Sequence, residues 1–197
     1  MNPITDVDDD SRLMLAFQDG DESAFAALLE RYESRIVNFT FRCTGNIADA
    51  EDLAHGTFLR IFRAAERYEP RAKFSTWVYR IAANLCHDFR KKKRGDVLAY
   101  AAPVSVRICP DDDREQERAS SSEKSVEVSV EEQHARHTLR MFLDELPENQ
   151  RFALTLKVYE DKSYEEIAAI MDCSVSAVES LLFRARQSLK KSLQEGV

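Results

Sequence analysis

Ser163 to Lys191 reads SYEEIAAIMDCSVSAVESLLFRARQSLKK, and this stretch decides the architecture of the C-terminal third of the chain. Ser163 stands three residues before Glu166, an S-x-x-E pattern in which each side chain satisfies an orphan backbone N–H at a helix start. Ile167, Ala168, Ile170 and Met171 form the apolar side of that helix, and the small Ala168 lets a second helix approach closely. The helix is expected to stop near Asp172 and Cys173. Ser174 then caps a second helix, whose apolar stripe Val175, Val178, Leu182, Ala185 and Leu189 repeats at helical spacing. Two short helices joined by a tight turn make a helix-turn-helix. The open side of the second carries Ser176, Glu179, Ser180, Phe183, Arg184, Arg186 and Gln187, a mixture suited to base edges and phosphates. DNA is therefore the expected partner. The competing interpretation is a helical hairpin with a solvated charged face.

Outward from this motif, helical patterns run back to Gln133, interrupted at Leu146 and Pro147, where Pro suits the first turn of a new helix. From Gly95 to Glu132 the periodicity fades and Pro103, Pro110 and a Ser run appear. The expected organisation is an ordered domain over residues 10–95, a flexible acidic linker over 96–132 and a second ordered domain over 133–194. With few β-branched alternations, both domains are expected to be all-α. At 197 residues and 44% hydrophobic content the chain can form two small cores.

The N-terminal domain opens with Asp21 as the cap of a helix through Phe25, Leu28, Leu29, Tyr32, Ile36, Val37 and Phe41. Asn46 opens the next, IADAEDLAHGTFLRIFRAAERY, with Leu53, Phe58, Ile61 and Phe62 assigned to the core and Asp49, Glu51, Asp52 and His55 to a polar side. Acid in a first turn favours the helix dipole, and it also makes a compact acidic surface for a basic partner. Gly56 costs about 1 kcal/mol relative to Ala in a helix interior, which calls for a packing reason or a close partner backbone. After Pro70 a third helix begins around Ser75. FSTWVYRIAANLCHDFRKKKR combines the only Trp with Phe74, Tyr79, Asn84 and a basic tail. Aromatic rings beside cations suit single-stranded DNA, at about 1 to 3 kcal/mol per stacked base. Core packing is the alternative for Trp77 and Ile81.

The net charge of −7 looks wrong for a DNA binder until its distribution is considered. Basic residues gather in HDFRKKKR from His87 to Arg94 and FRARQSLKK from Phe183 to Lys191, acidic ones at Asp6 to Asp10, Asp111 to Glu117 and Val126 to Glu132. Cys43, Cys86, Cys109 and Cys173 form no CxxC pair, so neither a zinc ribbon nor a disulfide framework is indicated. His134 and His137 are the weak candidates for a metal, and Cys86 beside His87 is the candidate reactive thiol. No cofactor and no metal site are expected. The acidic start and the absence of an apolar run near 18 residues point to no membrane insertion and a cytoplasmic location.

Four segments in this order, RLMLAFQDGDESAFAALLERY, DAEDLAHGTFLRIFR, FSTWVYRIAANLCHDFRKKKR and LPENQRFALTLKVYEDKSYEEIAAIMDCSVSAVESLLFRARQSL, resemble the extracytoplasmic-function sigma factors of bacterial RNA polymerase. The resemblance implies sigma region two in the N-terminal domain and region four in the C-terminal one, bound to the clamp helices and flap of core polymerase. It places Asp49, Glu51, Asp52, Leu53 and His55 in the polymerase-docking segment. It places the Glu69 to Phe74 loop with Phe74, Ser75, Trp77, Arg80, Asn84, Arg90, Lys91, Lys92 and Lys93 at the promoter minus-ten element, with Asn84 on a base extruded from the opened strand. Ser174, Ser176, Glu179, Ser180, Phe183, Arg184 and Arg186 fall at the minus-thirty-five element. It implies a non-enzymatic factor, monomeric when free and controlled by an anti-sigma factor that is often membrane-bound.

Several positions depart from the family pattern. Ser176 and Ala177 replace a common Gly-Thr, Glu179 a common cation, and Leu181 a frequent Arg; His55 and Gly56 stand where Gln and an acidic residue are usual. Arg184 and Arg186 match. The rival readings are a stand-alone dimeric helix-turn-helix regulator, which leaves the N-terminal surfaces unused, and a metal-dependent nuclease using Asp8, Asp9 and Asp10 or Asp111, Asp112 and Asp113.

Overall fold

The computed structural model describes residues 7–93, 141–143 and 145–195, all of them in helices, turns or connecting segments without a strand. The expected linker over 96–132, Cys109, Asp111, Asp112, Asp113, His134 and His137 lie outside the described residues. Packing divides the chain into two compact units. The described residues of the first are 7–40 and 48–93; the second contains 41–47 with the described residues beyond 140.

α1 spans Asp9–Gln18, α2 Glu22–Thr44, α3 Ile47–Ala64 and α4 Phe74–Lys93, with a short 3-10 turn at Ala65–Arg67 after α3; all belong to the first unit except residues 41–44 of α2 and residue 47 of α3. Asp8 and Asp10, from the acidic start of the chain, are part of this architecture. Asp8 caps α1, accepting from Ser11 N at 3.1 Å and Ser11 Oγ at 2.8 Å, and it also accepts from Phe74 N at 3.2 Å, at the start of α4. Asp10 accepts from Arg31 and from the Tyr32 hydroxyl. Burial and the nearby Asp10 push the Tyr32 phenol well above its ordinary pKa, so it stays a donor. The carboxylates of Asp8 and Asp10 are thus committed to protein donors, and the nuclease reading loses its first trio.

α1 ends in a tight turn. Gly20 adopts φ +103, a region L side chains rarely occupy, and its N–H reaches Phe17 O at 3.0 Å. Asp21 then caps α2 as expected, accepting from Ser23 N at 3.0 Å and Ser23 Oγ at 2.6 Å. The core of the unit gathers Met14 from α1, Leu28, Tyr32, Ile36 and Phe39 from α2, Leu53 and Ile61 from α3, and Phe74, Val78, Tyr79 and Ala82 from α4. Each large side chain contributes about 1.5 to 3 kcal/mol when fully buried. Tyr32 meets Phe74 and Phe39 meets Tyr79 edge to face, with centroids 5.5 and 5.4 Å apart. A buried Thr40 hydroxyl donates to Ala50 O at 2.9 Å and ties α2 to α3.

Phe62 departs from its expected core position: it is 53% exposed, and Phe58 is only half-buried. The buried face of α3 is Ala50, Leu53, Ala54, Thr57 and Ile61. Thr57 takes a core place because its hydroxyl donates to Leu53 O at 2.8 Å within the same helix. Phe62 is displaced to the flank, where it meets the rings of Phe17 and Phe25 at 5.4 and 5.5 Å.

In the second unit, α5 spans Glu148–Val158, α6 Tyr164–Met171 and α7 Val175–Glu195. Pro147 sits at the N-cap of α5, one residue before the first turn. The α6–turn–α7 motif forms with the expected caps. Glu166 N donates to Ser163 Oγ at 3.2 Å while Ser163 N donates to Glu166 Oε2 at 2.9 Å, and Ala177 N donates to Ser174 Oγ at 3.2 Å. Between the helices Asp172 takes the left-handed conformation, φ 52, which a short polar side chain tolerates better than a branched one. The α7 stripe is Val178, Leu181, Leu182 and Ala185; Val175 lies partly exposed at the helix start and Leu181 replaces it in the interior. Phe142, Leu143 and Leu146 pack against Ala185, with Leu154 and Leu189 at the margin.

Candidate nucleic-acid and protein interfaces

The polar side of α3 presents Glu51, Asp52 and His55 to solvent, with Asp49 half-buried beside them. Leu53, assigned to the same surface, is buried and serves the core, because the helical turn that exposes residues 51, 52 and 55 directs residue 53 inward. Asp49 lies 3.8 Å from Lys93 Nζ, so the first turn of α3 meets the last residue of α4. A Cβ added at Gly56 would meet only Leu85 Cδ1 at 3.7 Å, an ordinary contact. Packing within the unit therefore does not require a glycine there.

On α4 the candidate residues separate by depth. Phe74 is 1% exposed, which removes it as a base contact: its ring is wedged among Tyr32, Tyr68 and Trp77. Ser75, Trp77, Arg80, Arg90 and Lys91 are half-buried, and Lys92 and Lys93 are exposed. Trp77 stacks obliquely on Tyr68 at 4.9 Å, and the Tyr68 hydroxyl donates to Ser11 Oγ at 2.9 Å. Core packing and ring exposure thus coexist at Trp77. Asn84 is 6% exposed, deeper than a surface contact requires. Its side chain makes no hydrogen bond among the described residues, and neither of its polar atoms counts among the fully enclosed unpaired ones. Trp77, Arg80, Asn84 and Lys91 recur at helical spacing along one side of α4. The neighbouring Glu69 to Lys73 loop is largely exposed, with Arg71 Nε donating to Glu69 Oε2 at 2.8 Å.

On α7 every candidate is at the surface: Ser174, Ser176, Glu179, Ser180, Phe183, Arg184 and Arg186 are exposed. Phe183 is 62% exposed, and Glu179, Ser180, Phe183 and Arg184 line a shallow depression. Leu181 is not a lost surface cation, since its side chain is interior. Cys86 is fully buried, which withdraws it as a reactive thiol. Burial and then Asp172 push the Cys173 thiol up. No group of metal-ligating side chains occurs among the described residues.

Residues 28–96 match the family model for sigma-70 region 2, and residues 136–189 match that for sigma-70 region 4. The chain is 32% identical over 190 residues to the RNA polymerase sigma-H factor of Pseudomonas aeruginosa, covering 94% of both chains. The chain belongs to the sigma-70 family. Within it, this sigma factor is of the extracytoplasmic-function group: it is 31% identical over 190 residues to the ECF RNA polymerase sigma-E factor of Escherichia coli K12, again covering 94% of both chains. The sigma factor also shares its fold with CnrH, solved in complex with the cytosolic domain of CnrY, at a TM-score of 0.70 and 20% identity over 96% of this chain and all of that one. The family resemblance carried by the four sequence segments therefore holds across the chain.

Proposed function

We propose that this sigma factor binds core RNA polymerase, directs it to specific promoters and helps open the minus-ten element by binding alone. The observation that carries the reading is that one unit bears both an exposed acidic face on α3 and, along α4, an aromatic and basic side that includes Asn84, whose side chain makes no hydrogen bond among the described residues. Glu51, Asp52 and His55 would dock on the clamp helices of the largest subunit, with Gly56 leaving room for a partner backbone. Trp77 would hold an unpaired base, the Asn84 amide would read another, and Arg80, Arg90, Lys91, Lys92 and Lys93 would hold phosphates. A base taken out of the stack costs a few kcal/mol, which these contacts offset. α7 would enter the major groove at the minus-thirty-five element, with Arg184 and Arg186 on the phosphates.

The factor performs no covalent chemistry in this scheme; nucleotide addition belongs to polymerase. The cytoplasm follows as the place of action, and no described helix is long and apolar enough to cross a membrane. Solved structures of similar fold are complexes with CnrY and with the anti-sigma factor NepR, which supports control of this chain by an anti-sigma factor.

The test is transcription in vitro with core polymerase, the full chain and a genomic promoter library, comparing wild type with Asp52→Arg and Asn84→Ala. Discrete starts should vanish with Asp52→Arg. Asn84→Ala should retain polymerase binding and lose opening. If wild type neither binds polymerase nor initiates, protects duplex sites alone and elutes as a dimer, the stand-alone regulator replaces this reading.

A further inference from the structure

The N-terminal half of α7 offers hydrogen-bond acceptors where the commonest base contacts, Arg or Lys to guanine, require donors. Glu179 is exposed and makes no hydrogen bond or ion pair among the described residues. Its neighbours three and four residues away are Val175, Ser176, Leu182 and Phe183, none of them cationic. Ser180 Oγ donates its proton to Ser176 O at 3.0 Å, leaving lone pairs outward. Ser174 Oγ accepts from Ala177 N and lies 3.1 Å from Ser176 Oγ, so one of those two hydroxyl protons is spent between them.

An unpaired carboxylate brought into the major groove is repelled by phosphates unless a base donor meets it. The groove offers two such donors, the exocyclic amines of cytosine and adenine. Adenine sets its N7 acceptor beside the amine, facing the second carboxylate oxygen, whereas cytosine sets a C–H there. Guanine presents two acceptors and thymine one, and both oppose the carboxylate. We infer that Glu179 is a specificity-determining residue that selects cytosine at one position of the duplex element read by α7 and rejects guanine there. This inference rests on the promoter-directing reading above.

The experiment uses the full chain with core polymerase on a library of randomised promoter-length duplexes, sequencing the templates that yield transcripts, for wild type, Glu179→Gln and Glu179→Lys. Wild type should favour cytosine over guanine at one position by about tenfold or more. Glu179→Gln should move that position toward adenine, whose amine and N7 match an amide, and Glu179→Lys should move it to guanine. Other positions and thermal melting should hold, because the side chain is exposed. An identical motif in all three proteins overturns the inference while leaving the promoter-directing function intact; so does a uniform rise in affinity with Glu179→Gln, the mark of simple repulsion. Failure of wild type to initiate on any template removes both.

Discussion

α4 and α7 are both proposed to meet DNA, yet they carry their candidate residues in opposite ways. On α4 the line of Phe74, Trp77 and Asn84 runs from the core to its margin, so packing and the proposed recognition would share Trp77 and Asn84. On α7 the two tasks occupy different faces: Val178, Leu181, Leu182 and Ala185 are interior, and Glu179, Phe183, Arg184 and Arg186 are exposed. A recognition residue set into a core is held in place before its ligand arrives, but it cannot change without disturbing the fold. One on an open face can change freely, and the departures from the family pattern on α7 include the exposed Ser176 and Glu179.

The widest separation of the two helices should appear in Phe74→Ala against Phe183→Ala. The first should lose about 3 to 5 kcal/mol, the second about 0.5 kcal/mol or less. Urea unfolding followed by fluorescence of Trp77 reads the first, since the only Trp packs on Phe74; far-UV circular dichroism reads the second. Comparable losses would break the contrast. Asp8→Ala should come next, at about 2 to 3 kcal/mol in the same fluorescence assay, because it removes the α1 cap and leaves Phe74 N unpaired. In the second unit Ser163→Ala removes only a local capping box, for about 1 kcal/mol. Gly56→Ala should have the opposite sign, stabilising the first unit by about 0.5 to 1 kcal/mol since the added methyl fits. A fall in polymerase affinity in that variant would assign the glycine to the partner.

The smallest effect is in pH. Hydrogen bonds from Ser23 hold the Asp21 carboxyl below its ordinary value of 3.8, and one from the Glu165 backbone N–H lowers that carboxyl from 4.5. A depressed folded-state pKa means each contribution is present above the ordinary value and lost as pH falls through the folded one. Both carboxyls are exposed, so the acid limb should shift only slightly in each unit. Carboxyl titration by NMR checks this, and an ordinary midpoint at Asp21 would remove its capping role.

The caps and turn of the helix-turn-helix were legible residue by residue because their signals are local. Ser163 and Glu166 are three apart, Ser174 and Ala177 likewise, and the turn between them spans a few residues. Asp8 was illegible for the opposite reason. Its third partner, Phe74 N, lies 66 residues away, and nothing in DVDDD distinguishes a cap that joins two helices from a solvated acid run. Phe62 was misassigned because periodicity gives a face and not its edges; the buried Thr57 narrowed the apolar side and moved Phe62 to the flank.

The sequence alone determined the all-α class, the caps at Asp21, Ser163 and Ser174, the segregation of charge and the family, since each depends on residue identity over a few turns of helix. Tertiary structure decided depth: which aromatic rings reach solvent, that Leu181 faces inward, and that Asn84 is nearly buried with no hydrogen bond from its side chain among the described residues. Depth is set by which helices pack on which, so it depends on contacts between residues far apart in the chain, and no local pattern encodes it.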